Sequence, residues 1–117
     1  MIKRVIVCLL ISYKVFSTDT VTVTTYSANQ SQTDSTPRIT ASGFKIKPNT
    51  TRIVAVSRDL KRKYKFGTRV RITGIGKHNG VYVVRDVMNK RFTKRVDILI
   101  SRKDKHTKFK KAKITKV

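Results

Sequence analysis

Glutamate is absent from this 117-residue chain, and six aspartates face 28 Lys and Arg, for a formal charge of +22. Such an excess implies an anionic partner: nucleic acid, an acidic lipid surface or a negatively charged polymer outside the cell. Cysteine is reduced to Cys8, which leaves no second thiol for an intrachain disulfide and no cysteine cluster for a metal. Histidine is reduced to His78 and His106, at ligand spacing from neither each other nor a cysteine. No metal and no cofactor is therefore expected, and both histidines read as surface residues. No serine stands in a nucleophile-elbow glycine pattern. Gly74 and Gly76 in TGIGKHNG lack phosphate-loop spacing and read as turn glycines. Repeats, heptads and low-complexity tracts are missing too, and the length allows one domain with a modest core.

The only long apolar stretch is at the N-terminus. MIKR precedes an apolar run over residues 5–11, and VFSTDT supplies small and β-branched residues before a cut after Ser17. This pattern predicts a secretory signal peptide over residues 1–17. The run is far below the roughly twenty apolar residues of a transmembrane helix, so no membrane span is expected. Cleavage would remove Cys8 and, of the cations, only Lys3, Arg4 and Lys14, so the positive excess belongs to the domain predicted over residues 18–117.

Within that domain, residues 18–28 alternate β-branched and polar side chains as a half-buried strand does. Residues 29–50 are rich in Asn, Ser and Thr with Pro37, Gly43 and Pro48, which predicts a long loop with at most short extended pieces. RIVAVS at 52–57 reads as a strand, RDLKRKYKF as a short helix ended by Gly67, and TRVRITG and GVYVVRD as strands joined by a tight turn. MNKRFTK crosses over to the strand RVDILIS, Ser101 is positioned to cap a further short helix, and KAKITKV alternates again. The total is about six strands with one or two short helices, the pattern of a small β-barrel.

Two of the scarce acids lie inside these apolar strands. Asp86 ends GVYVVRD, and Asp97 is followed directly by Ile98, Leu99 and Ile100. A carboxylate in such surroundings costs several kcal/mol unless it is paired or neutral. The strands are separated by one crossover, so the two side chains can converge at one end of a barrel. Close carboxylates in a partly apolar cleft push one proton affinity up, which suits acid–base chemistry. The competing role is an ion pair, for which Arg95 lies on the same strand face as Asp97.

These segments resemble the 3D domain family, named for three aspartates, which includes stationary-phase-survival type muralytic proteins and the catalytic domain of membrane-bound lytic transglycosylase A. The resemblance runs through TVTTYSA, ITASG, IVAVSRDL, FGTRVRITG, VYVVRD and RVDILI, in that order. It implies a mainly β, six-stranded double-psi β-barrel that cleaves peptidoglycan glycan strands without water. One acid/base suffices for that reaction, because the sugar's own 6-hydroxyl attacks the anomeric carbon; a hydrolase needs two carboxylates. By the family pattern Asp97 takes this role and Asp86 assists it. Tyr26, Thr40, Ser42 and Gly43 would line the sugar groove.

The chain departs from the family at the first aspartate, where Ser57 stands and Asp59 follows two residues later as a possible support. It departs again at VMNKRFTK, where the family carries glycines. Asp34 in QTDSTP reads as a turn residue. The expected function is an exported lytic transglycosylase acting on peptidoglycan in the periplasm or wall. The alternative is a non-catalytic wall-binding barrel, similar to the expansin and rare-lipoprotein group. A small RNA-binding barrel comes third: Tyr64, Phe66, Tyr82 and Phe92 make no spaced stacking motif, and a secretory leader directs the chain away from RNA. No nucleic-acid partner is expected.

Overall fold

The computed structural model describes residues 17–27, 38–47, 49–101 and 103–117. The leader expected over 1–17, apart from Ser17, and the turn expected at Asp34 lie outside the described residues. The chain forms β1 (Asp19–Ser27), β2 (Arg38–Ile39), β3 (Lys45–Ile46), β4 (Ile53–Val56), α1 (Arg58–Lys61) and β5 (Arg69–Thr73). A 3-10 turn (Gly76–His78), β6 (Gly80–Val87), β7 (Arg95–Ile100) and β8 (Lys108–Lys116) complete it.

Six strands close into a barrel in the order β1-β7-β4-β6-β5-β8, and β2 with β3 makes a separate hairpin. The barrel mixes parallel pairs, β1 with β7 and β4 with β6, with antiparallel ones. Closure removes the exposed sheet edges that a chain of short strands would otherwise present. No helix among the described residues is long and apolar enough to cross a membrane.

Alternation decides which side chains fill the barrel. In β5, Val70 and Ile72 point in and are fully buried while Arg69 and Arg71 are exposed. In β1, Val21 and Val23 do the same between threonines. β4 is buried at all four positions because it is covered on both faces. Val54 and Val56 face the barrel interior, whereas Ile53 packs outside it with Ile46 and Leu99, against Tyr26 and Phe44. The hairpin is therefore a lid on one stretch of the barrel's outer wall.

The connection after β7 corrects one expectation: Ser101 caps no helix. Its Oγ accepts the Lys103 N–H at 3.3 Å in a turn, and β8 begins at Lys108. The segment SRKDKHTK has no apolar position with which a helix could bury a face. The expected helix after Ser57 is shorter than its pattern, ending at Lys61, and Tyr64 then drops fully buried into the core.

Tyr64 also closes one end of the barrel electrostatically. Its hydroxyl donates to Asp19 Oδ2, which Lys63 Nζ reaches at 2.8 Å. The Lys63 hydrogen bond, followed by that of Tyr64, holds the Asp19 carboxyl below the usual carboxylate range. A depressed folded-state value contributes stability above the unfolded value, near pH 4, that is lost as pH falls through the folded value. Asp19→Asn is accordingly expected to flatten the acid limb of the stability curve. The loss at neutral pH should be no more than about 1 kcal/mol, since the pair is partly exposed. Urea midpoints measured between about pH 2 and 7 check this; parallel curves for both proteins would contradict it.

Candidate functional site

The two central acids share one face of the barrel's outer wall rather than converging at its end. Asp97 on β7 stands level with Ala55 on β4, Ala55 stands level with Asp86 on β6, and Thr24 on β1 stands level with Asp97. One lateral row thus runs Thr24, Asp97, Ala55, Asp86 across four adjacent strands. Paired residues share a sheet face, and Ala55 alternates with core-facing Val54 and Val56, so the row faces outward. The acids' backbones are two strand spacings apart, roughly 10 Å. Ala55, the smallest side chain of the row, lies between them and is itself buried.

A bulge puts Asp86 in this row. Tyr82 and Val84 alternate as buried core residues, and the simple period would send Asp86 inward after them. The register instead shifts by one between Val54 and Ala55, leaving Arg85 as the extra residue, and Asp86 emerges beside Ala55. The residue is nevertheless buried, only 7 % exposed, because the turn between β2 and β3 covers it. Asp86 Oδ1 accepts the backbone N–H of Ala41 and of Val87, both at 2.9 Å. Its charge holds the turn to the bulge.

The TASG segment is that turn. Thr40 is buried; its Oγ1 accepts the Phe44 N–H at 3.1 Å and lies 3.1 Å from Ser42 Oγ. The Ser42 N–H donates to the Arg85 carbonyl at 3.2 Å, and Gly43 has φ 87°, the left-handed conformation that explains glycine there. Thr40, Ser42 and Gly43 therefore form the docked rim of the site. Tyr26 packs half-buried with the hairpin's apolar cluster on the same wall.

Asp97 is placed differently. It is half-buried, and Thr24 Oγ1 donates to its Oδ1 at 3.1 Å from the β1 side. Two residues earlier on the same face, the Arg95 guanidinium lies 4.5 Å from the Phe92 ring centroid, so the cation rests on an aromatic of the 88–94 loop. Arg91 stacks on the same ring at 4.7 Å. At the hairpin end of the row, Arg85 lies 5.0 Å from the Phe44 ring.

Ser57 and Asp59 hold the entry to β7. Buried Ser57 accepts the Arg95 N–H on Oγ at 3.0 Å, and its own N–H donates to the Arg95 carbonyl at 2.8 Å. Asp59 is exposed, and its Oδ2 accepts the Lys94 N–H at 2.9 Å, where Lys94 has φ 46°. Burial pushes the Asp59 carboxyl up, but the hydrogen bonds from the Ser57 side chain and the Lys94 backbone outweigh it, and the net direction is down. A carboxyl shifted that way is a poor proton donor at neutral pH. The pair fixes the strand that carries Asp97.

Thr24, Arg85 and Phe92 are site residues that the sequence alone does not single out. The only trace is the doublet Arg85-Asp86, where two polar residues in succession break an otherwise regular period and mark the bulge. Protein-family models give no match to the chain, and neither do the curated proteins. The architecture is a closed six-stranded mixed β-barrel, compatible with the double-psi arrangement.

Proposed function

We propose that the protein is an exported lytic transglycosylase that cleaves the glycan strand of peptidoglycan, with Asp97 as its single acid/base. The observation carrying this reading is the unequal placement of the two acids in one row. Asp86 is spent on two backbone donors beneath the hairpin turn, while Asp97 stands half-buried level with Ala55, its carboxyl accepting a hydrogen bond from Thr24. One positioned carboxyl is what the non-hydrolytic reaction requires.

In the reaction, the Asp97 carboxyl protonates the oxygen linking the muramyl unit to the next sugar. The C1–O bond breaks, leaving positive charge at C1 and a 4-hydroxyl on the departing sugar. The muramyl 6-hydroxyl then attacks C1 while its proton passes to the Asp97 carboxylate. The product is a 1,6-anhydro ring, and the acid is restored. The 25 Lys and Arg left once residues 1–17 are removed would keep the protein on the anionic wall.

A non-catalytic wall-binding barrel is the second reading. It is favoured by Ser57 at the place of the family's first acid and by the engagement of Asp59 with the Lys94 backbone. Incubating the purified protein with peptidoglycan and analysing the soluble fraction by mass spectrometry separates the two. Release of 1,6-anhydromuramyl fragments is expected; sedimentation with the wall and no release would leave the binding module.

A further inference from the structure

Arg85 and Arg95 flank the two acids along their own strands, Arg85 directly before Asp86 on β6 and Arg95 two residues before Asp97 on β7. Arg85 is the bulge residue. Each guanidinium lies over a ring, Phe44 and Phe92 respectively, at 5.0 and 4.5 Å. Both residues are half-buried, and the Nε of each is buried with no hydrogen-bond partner among the described residues. The described ion pairs join Lys63 to Asp19 and Lys77 to Asp104, and involve neither arginine. A ring under a guanidinium fixes its plane but satisfies none of its five N–H donors. Oriented, half-desolvated guanidinium forks are suited to receive a planar anion, because the Nη edge matches a carboxylate in bidentate fashion.

We propose that Arg85 and Arg95 form a carboxylate-recognition site, through which the glycan is read by the acidic substituents of its muramyl units. This rests on the peptidoglycan reading above, and it separates that polymer from neutral amino-sugar chains of the same linkage. The carboxylate has two sources: the lactyl group of strands stripped of peptide, or the free carboxylates of the stem peptides.

The test is sedimentation binding at about 0.5 M salt, where the long-range attraction of exposed charges is screened. The walls are native, peptide-stripped, or amidated at their carboxylates with carbodiimide and ammonia. Amidation is expected to weaken wild-type binding about tenfold, within the range for charged hydrogen bonds. The Arg85→Lys/Arg95→Lys double variant keeps both charges and the ring contacts but loses the fork. It should bind native wall about tenfold more weakly than wild type and respond little to amidation. Arg95→Lys alone should fall between the two, and its melting curve confirms folding. Lys113→Gln, which removes an exposed charge from β8, should bind as wild type does.

Stronger binding to stripped wall assigns the lactyl carboxylate, and stronger binding to native wall assigns the peptide. The proposal is overturned if the double variant binds native wall as tightly as wild type, or if Lys113→Gln costs as much as the double variant, since charge alone then explains retention. Wild type that sediments with no wall preparation removes the peptidoglycan reading and this inference with it; wild type that binds native and amidated walls equally removes only this inference.

Discussion

Asp97→Asn is expected to lower the release of 1,6-anhydromuramyl product by about 10²–10⁴-fold, the usual contribution of a positioned general acid–base group. An amide can neither give the proton that the departing oxygen needs nor take the one that the 6-hydroxyl loses. The substitution is nearly isosteric, and the amide oxygen still accepts the hydrogen bond from Thr24 that the carboxylate accepts at 3.1 Å. Stability should therefore change by less than about 1 kcal/mol, within the ordinary range for a substitution that leaves packing intact. The comparison requires product quantified by mass spectrometry and a melting curve for each protein. An Asp97→Asn protein that retains wild-type rates would end the assignment. Loss confined to Asp86→Asn, at unchanged stability, would move the proton to the other acid.

The strands were readable because β-branched residues alternate with polar ones, and that period is a direct consequence of the pleat. Val21 and Val23, Val70 and Ile72, Val96 and Ile98 all follow it into the core. The hairpin was not readable in the same way, since two-residue strands such as Arg38–Ile39 and Lys45–Ile46 are too short to show a period. The helix expected after Ser101 failed because a capping residue starts a helix only where an apolar face follows to hold it. Within the site, Asp86 and Asp97 were visible as acids in apolar surroundings, but their relation was not. It depends on the bulge at Arg85 and on β4 lying between β6 and β7 in the barrel. The contact of Thr24 with Asp97 spans 73 positions of sequence and follows only from the parallel pairing of β1 with β7. Local patterns mark chemistry-bearing residues; closure of the barrel decides which of them share a face.

Removing the Asp86 carboxylate should be the most damaging single change to the wall that carries the site. Asp86→Ala deprives the Ala41 and Val87 N–H groups of the oxygen that each reaches at 2.9 Å. Bonds to a charged acceptor contribute about 1.5–3 kcal/mol each, and a buried donor left unmade costs a comparable amount. Part of this loss is offset because a buried carboxylate no longer has to be desolvated. A net destabilisation of about 2–4 kcal/mol is expected by urea unfolding, with amide exchange accelerated first at Ala41 and Val87. Asp86→Asn keeps an acceptor oxygen and loses only the charge, so about 1–2 kcal/mol is expected. Because the turn that Asp86 holds also positions Phe44 under Arg85 and Ile46 over Ile53 and Leu99, loosening it should disturb substrate binding more than proton transfer. KM is thus expected to rise while kcat falls by less than in Asp97→Asn. An Asp86→Ala protein within about 0.5 kcal/mol of wild type, the range of an ordinary surface substitution, would show that the hairpin is held by its apolar contacts alone and that Asp86 is there for chemistry instead.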